Sequence, residues 1–302
     1  MKKLLILGST CKGTIQMVER AQRQGIYTIV TDYIDPKDAP AKLLADEYWM
    51  INTADVDALE AKCREEKIDG VVNAISTFNA GITMELTRRL GLPCYATPEA
   101  WHYTVDKRSF KDLCKKVGVP VAEDYYVSDP PTQEELDAIR FPVVTKAIDL
   151  SANRGMSYCY NQEDVVKGCE YARSMSASKT VVVERMLKGT EYEAHYVLAN
   201  GEASLYCFAP LLPQPGLLAN CYGVTTTATN NLDRYLEEVD PYFKKLLKEA
   251  GCHEGIAWME MMLDEDGHFY VLEMGYRLSG DLIEIAVEKS SGFDSFQWLV
   301  DV

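Results

Sequence analysis

Basic residues are scarce relative to acids in this 302-residue chain: 31 Lys and Arg against 46 Asp and Glu leave a formal charge of −15. Such a field repels a phosphate backbone at long range, so nucleic acid is not expected as a partner and any phosphate site has to be local. Long apolar runs are also missing. Stretches such as LLIL at 4–7 and VVV at 181–183 fall far short of the ~20 residues that cross a bilayer, and no membrane partner is expected. The start, MKKLLILGSTCKG, is interrupted by Gly8 and polar residues before a signal-peptide core could form, and reads as a first β-strand. The nine cysteines (Cys11, Cys63, Cys94, Cys114, Cys159, Cys169, Cys207, Cys221 and Cys252) are odd in number, scattered and free of any CxxC pair. That excludes a disulfide framework or zinc site and suits thiols kept in a reducing cytoplasm, the expected location.

What is present is the composition of a folded protein, 47% hydrophobic and 25% charged, long enough for about two domains. The first hundred residues alternate strand and helix. LLILGS (4–9) is a buried-type strand, 14–24 a helix ended by Gly25, and YTIVTD (27–32) a second strand closing on an acid. A helix at 55–66, the strand DGVVNAI (69–75), a helix at 79–90 and a further segment LPCYA (92–96) continue the rhythm of a doubly wound parallel α/β unit. Ligands of such sheets sit at the carboxyl ends of the strands, here near Gly8, Ser9, Thr10, Asp32, Ser76 and Thr77. The first turn, G-S-T-C-K-G, lacks the G-x-G-x-x-G of a dinucleotide site, and Asp32 can end a strand simply because it favours turns. Beyond 98–103 the pattern becomes α+β, with a helix at 105–117 and strands at 141–148, 179–187, 190–198, 201–209, 255–263 and 268–276.

Several charged residues interrupt apolar segments. Lys107 lies on the stripe of Phe110, Leu113, Cys114 and Val117, where it either snorkels or meets a ligand. Lys146 ends the apolar strand of Phe141, Val143 and Val144, where an ammonium is costly without an anion. The following polar segment, DLSANRGM (149–156), is either an ordinary connection or a loop that wraps phosphate oxygens with Ser151, Arg154 and backbone amides. Glu184 ends the run VVV, and an acid there calls for a cationic partner. Glu191, Glu193 and His195 share one face by period two, the usual sign of a solvated edge strand.

The segment GIAWMEMMLDEDGHFYVLEMGYRLSGD reads as a hairpin turning at 264–267. With an even loop, 263 pairs with 268, so Glu260 faces 271 and Glu273 is its diagonal neighbour. Two acids converging in apolar strands are unfavourable unless protonated or bridged by a cation, and oxygen ligands beside phosphate suit Mg²⁺; two chance acids in a hairpin are the alternative. Arg277 offers a planar fork for a phosphoryl or carboxylate group.

Taken in order, these pieces resemble the ATP-grasp superfamily over nearly all of the chain: a lysine at a helix start, a lysine ending a strand, a polar loop, E-R-M-L-K-G-T-E-Y-E, then E…E-M-G-Y-R. The likeness is closest to its carboxylate-amine ligase branch, which includes biotin carboxylase, purine-pathway enzymes and carbamoyl phosphate synthase large subunits. The resemblance implies an N-terminal Rossmann-like pre-ATP-grasp domain (1–100) and an ATP-grasp domain (101–302) with a lid subdomain at about 118–188. It implies that Lys107 and Lys146 contact ATP phosphates, that a loop containing Ser151 and Arg154 closes over them, and that Glu184, Arg185, Met186 and Leu187 line the adenine. Glu191 is implied at the ribose, Glu260 and Glu273 at Mg²⁺ or Mn²⁺, and Arg277, with Lys146, at the transferring phosphoryl group. Family members commonly carry Asn two residues after the second acid. Gly275 stands there and has no side chain to ligate with, so water or Asp281 would complete the set. Many relatives carry a further C-terminal segment where this chain reaches Val302, which either a boundary within a longer protein or a minimal form would explain.

The activity so implied is ADP-forming: a small-molecule carboxylate attacks the γ-phosphate of ATP, and an amine opens the acyl phosphate. The acceptor pocket is expected between the two domains, near Ser9, Thr10, Ser76, Thr77 and the stretch 209–227. A catalytically weak ATP-binding or regulatory protein of the same fold, and more distantly an NAD(P)-dependent oxidoreductase, stand as alternatives. A homodimer is expected only in that acidic enzymes of this size often pair.

Overall fold

The computed structural model describes residues 1–150, 154–213, 221–224, 231–280 and 283–302. The first sheet is parallel, with β1 (Lys3–Leu7), β2 (Tyr27–Thr31), β3 (Glu47–Trp49) and β4 (Gly70–Asn73) in the order β3-β2-β1-β4. Leu5, Ile6 and Leu7 lose essentially all contact with water because helices cover both faces of an interior parallel strand, which is why this segment reads as an unbroken apolar run. The helix Lys12–Arg23 begins where Cys11 Sγ accepts from Thr14 N–H, and the helix Thr77–Leu90 begins where Ser76 accepts from Asn79 N–H. The latter stops at Gly91, whose φ of 70° lies in the left-handed region that glycine enters freely.

Two elements of this half differ from expectation. The short helix Pro40–Leu44 and the edge strand β3 occupy a stretch too brief to show periodicity. Leu92–Ala96 is not a strand: Pro93 has no N–H for a ladder, and Tyr95 instead packs edge-on against Tyr276, its hydroxyl donating to the Tyr276 carbonyl. Asp32, the residue a ribose would need, is buried and occupied: it accepts from Ser9 Oγ at 2.5 Å and pairs with Lys42 Nζ at 2.7 Å. That removes the ground for a nicotinamide site.

The second sheet is antiparallel, with β5 (Asp124–Tyr125), β6 (Val143–Ala147), β7 (Ser157–Cys159) and β8 (Val181–Arg185) in the order β5-β8-β6-β7. The helix Gln162–Met175 packs on it through Val165, Cys169 and Ala172, giving this unit its own small core. The third sheet contains β9 (Gly189–Ala199), β10 (Glu202–Pro213), β11 (Cys221–Val224), β12 (Gly255–Asp264) and β13 (Phe269–Gly275) in the order β11-β10-β9-β12-β13.

Here two expectations are corrected. β9 is the middle strand of five, so Glu193 and His195 are buried and not a solvated edge. In the β12–β13 hairpin Leu263 pairs with Phe269, and a bulge between Glu260 and Met261 brings Glu260 directly opposite Glu273, where a regular ladder would leave them diagonal.

The last helix, Ser295–Asp301, returns to the first sheet: Phe296 and Leu299 share one core with Leu4, Ile6, Val18 and Val30, and Ile256 of β12 joins it. No helix among the described residues is long and apolar enough to cross a membrane, and Cys11, Cys63, Cys94, Cys114, Cys159, Cys169, Cys207 and Cys252 are free.

Candidate active site

A cavity of about 640 Å³ opens between the second and third sheets. Lys146 of β6 and Glu184 through Gly189 form one wall, Glu191, Glu260, Met262 and Glu273 the other, and Lys107 and Arg154 reach in at the side. The structure therefore gathers Lys107, Lys146, Arg154, Glu184, Arg185, Met186, Leu187, Glu191, Glu260 and Glu273 around one space. Ser151 lies outside the described residues, as do Asp281 and much of the 209–227 stretch.

Asp106 caps the helix Lys107–Val117 by accepting from Ser109 N–H at 2.7 Å, and this fixes Lys107 at the helix start and at the cavity edge. Its ammonium donates to Leu150 O at 3.1 Å and lies 3.8 Å from Glu273 Oε2. Burial, and then the charge of Lys146, lower the Lys107 pKa.

One turn further on, Lys111 is 5% exposed and points the same way. Its ammonium meets Glu184 Oε1 at 2.8 Å, while Lys146 meets Oε2 at 2.5 Å, so a single buried carboxylate is clasped by two lysines. Burial alone would raise the Glu184 carboxyl; Lys146 and then Lys111 reverse this and hold it at about 2. For Lys111 itself desolvation prevails over Glu184, and its pKa is lowered. Sequence reading missed Lys111, although its spacing of four from Lys107 was the available signal.

Glu184 thus lines the cavity with its carboxylate already engaged. Arg185 is drawn toward the hairpin turn, pairing with Asp264 and with Asp266 at 2.9 Å and lying 4.7 Å from the Tyr270 ring centroid.

Across the third sheet Glu193, Glu260 and Glu273 form a row on adjacent strands. Glu193 Oε2 is 2.8 Å from His195 Nε2. Burial, then Glu273, Glu191 and Glu193, push Glu260 well above the usual carboxylate range, with Lys107 opposing. Burial and Glu193 likewise raise Glu191. Among the described residues no three acids, histidines or cysteines converge on one point. The facing pair is an open set of hard oxygens, suited to a divalent cation that takes its other ligands from phosphate and water.

Arg277 stands apart from this cavity. Its Nε donates to Thr77 Oγ1 at 3.1 Å, Nη1 donates to Leu278 O at 2.6 Å, and the guanidinium lies 5.1 Å from the Trp258 ring centroid. Burial lowers its pKa against the pull of Glu273. The space beside Gly275 is filled by the Trp258 indole: a Cβ there would come within 2.3 Å of Trp258 Cε2.

Comparison with known proteins agrees with this architecture. Residues 106–207 match the family described as carbamoyl-phosphate synthase L chain, ATP binding domain. A formate-dependent phosphoribosylglycinamide formyltransferase of Methanococcus maripaludis is 30% identical over 211 residues, 68% of this chain and 53% of that protein. This chain therefore spans about half the length of the curated relatives it matches. Among solved structures, the biotin carboxylase domain of the Hydrogenobacter thermophilus 2-oxoglutarate carboxylase, in complex with MgADP, superposes with a TM-score of 0.81 at 20% identity, covering 100% of this chain and 69% of that one. The N5-carboxyaminoimidazole ribonucleotide synthetase of Thermotoga maritima gives 0.72 at 20% identity, covering 98% of this chain and 74% of that one. The chain is thus similar to ATP-grasp ligases, and its residues 106–207 match the ATP binding domain of that family.

Proposed function

We propose that this chain is an ADP-forming carboxylate-amine ligase that works through an acyl phosphate. The observation that carries the reading is the facing pair Glu260 and Glu273, lining the same cavity as Lys107 and across from Lys146. In this reading residues 1–100 are a Rossmann-like pre-ATP-grasp domain, 101–302 the ATP-grasp domain and about 118–188 its lid.

Lys107 and Lys146 bind the phosphates, and Met186 and Leu187 cover the adenine with apolar surface, beside Glu184 and Arg185. Glu191, raised in pKa by burial, accepts or donates at the ribose. Glu260 and Glu273 hold Mg²⁺ or Mn²⁺, which supplies charge neutralisation at the β- and γ-phosphates when bound. To reach a phosphate, Lys146 exchanges one anionic partner, Glu184, for another, while Lys111 keeps Glu184 paired. The carboxylate oxygen of the substrate attacks the γ-phosphorus, the bond to the β-phosphate oxygen breaks and ADP leaves. The amine then displaces phosphate from the acyl carbon. Closure of the lid excludes water that would hydrolyse the acyl phosphate. The relative named for formate dependence supports a small carboxylate as substrate, and the partners expected are a small-molecule carboxylate and a small-molecule amine, with a homodimer as the proposed assembly.

A second reading, an ATP-binding protein with weak turnover, is favoured by one observation: Gly275 brings no side-chain oxygen to the cation. Thermal denaturation with Mg·ATP, with ATP and EDTA, and with NADPH separates the readings, since a ligand bound only by the folded state raises its melting temperature. Stabilisation by Mg·ATP that disappears with EDTA, followed by carboxylate-dependent phosphate release, is the expected result. Stabilisation without phosphate release for any carboxylate and amine pair favours the second reading, and stabilisation by NADPH alone overturns both.

A further inference from the structure

β8 of the second sheet ends at Arg185 and β9 of the third begins at Gly189, so Met186, Leu187 and Lys188 carry the chain along the cavity wall from one sheet to the other. This link is tied at both ends. Met186 N–H donates to Pro142 O at 3.0 Å on the side of the second sheet. On the side of the β12–β13 turn, Lys188 N–H donates to Asp264 Oδ1 at 2.7 Å and Lys188 O accepts from Glu265 N–H at 2.8 Å. Gly189 follows so closely against β12 that a Cβ there would lie 1.9 Å from Leu263 O, an approach that a residue without a side chain allows.

Arg185 doubles the tie from the second sheet. Its guanidinium pairs with Asp264 and, at 2.9 Å, with Asp266, and it lies over the ring of Tyr270, whose hydroxyl donates to Asp266 Oδ2 at 2.9 Å. The Asp264 carboxylate, on a side chain 10% exposed, therefore takes a guanidinium from one sheet and a backbone N–H from the link at once. A single exposed ion pair fixes little, but a nearly buried carboxylate bound to both a side chain and the backbone fixes a position.

Asp264 stands outside the cavity, whereas Arg185, Met186, Leu187, Lys188, Glu260 and Glu273 line it. It ends β12 four residues after Glu260, about 13 Å along the strand, and its turn leads into β13 and Glu273. One hairpin thus carries the acid pair and, at its turn, holds the link that forms the opposite end of the cavity.

We propose that Asp264 is a positioning residue for the nucleotide: it holds Met186, Leu187 and Lys188 at a set distance from Glu260 and Glu273, so that the base and the phosphates of one bound nucleotide are gripped together. This rests on the nucleotide reading of the cavity and deepens it by naming what spaces the base from the phosphates.

The test compares two probes on the full chain by titration calorimetry: Mg·ADP, which spans both ends of the cavity, and Mg·pyrophosphate, which engages the acid pair and the lysines alone. Asp264→Ala is expected to weaken Mg·ADP by about tenfold or more and to leave Mg·pyrophosphate within about twofold, so that the ratio of the two affinities falls. Asp264→Asn keeps an acceptor for Lys188 N–H and loses the charge facing Arg185; it is expected to weaken Mg·ADP about threefold, and it carries the test if the alanine variant does not fold. An unchanged ratio overturns the positioning role, whether both probes weaken together, as for a residue needed only by the fold, or neither moves. In either of those cases Mg·ADP binding by the native protein leaves the nucleotide reading standing. A native protein that binds neither probe sinks the nucleotide reading and the proposal with it.

Discussion

Replacing Lys111 by Met removes one jaw of the clasp on Glu184 while keeping the length and apolar stem of the side chain. In the native protein the carboxyl is held at about 2 against an ordinary 4.5, a difference worth roughly 3 kcal/mol. Breaking a buried pair by deleting one partner typically costs about 3–5 kcal/mol, and the surviving contact with Lys146 sets this case at the low end. Lys111→Met should therefore lose about 3 kcal/mol at pH 7, a fall of about 5 °C in melting temperature if the chain melts as one unit. Because the Glu184 pKa is depressed on folding, its contribution is complete above 4.5 and fades as pH falls toward 2. The variant should accordingly show a flatter loss of stability across that acid window. Lys146, left as sole partner of Glu184, should be harder to recruit, raising the KM for Mg·ATP about tenfold, whereas Lys111→Arg should retain most of both properties. Circular dichroism melts from pH 3 to 7 and steady-state ADP release measure these effects. A Lys111→Met protein with native melting temperature, native acid limb and native KM would refute the claim that Lys111 sustains Glu184.

Glu273→Gln should abolish ATP turnover while leaving the melting temperature of the free protein within about 2 °C, measured by phosphate release and calorimetry; unchanged turnover would remove it from the metal set. Gly275→Ala places a methyl group 2.3 Å from Trp258 Cε2 and should cost about 2 kcal/mol through forced repacking, an effect that Trp258→Ala should partly relieve in the double variant, read by denaturant melts. Lys42→Met breaks the buried contact with Asp32 in the first sheet and should destabilise by about 3 kcal/mol without altering the KM for Mg·ATP at permissive temperature. A changed KM in that variant would show that the first sheet reports to the nucleotide cavity.

The parts of the fold that were legible in the sequence are those where burial is extreme or charge is out of place. The run at 4–7 reads correctly because an interior parallel strand has no polar face, and Lys107, Lys146, Glu260 and Glu273 stand out because each interrupts an apolar segment. What escaped depends on contacts between distant elements. The bulge that sets Glu260 against Glu273 is a register choice among nearly equal hairpins. Lys111 carries no local signal of its role, because its counter-charge, Glu184, lies 73 positions later. His195 and Glu193 alternate like an edge strand, and only the pairing of β9 with both β10 and β12 buries them. The turn of Arg277 away from the cavity toward Thr77 is likewise a meeting of residues two hundred positions apart, with no local signature.

The return of Ser295–Asp301 to the first sheet bears on the order in which the protein can be made. Phe296 and Leu299 complete a core that also contains Leu4 and Ile6, so β1 is synthesised long before the helix that finishes covering its apolar face. The second sheet, with a core closed within residues 125–183, has no such wait and can fold as soon as it emerges. During synthesis the cavity wall that carries Lys146 and Glu184 should thus be formed while the first sheet is still partly uncovered, and the long-range Arg277–Thr77 contact should be among the last to form.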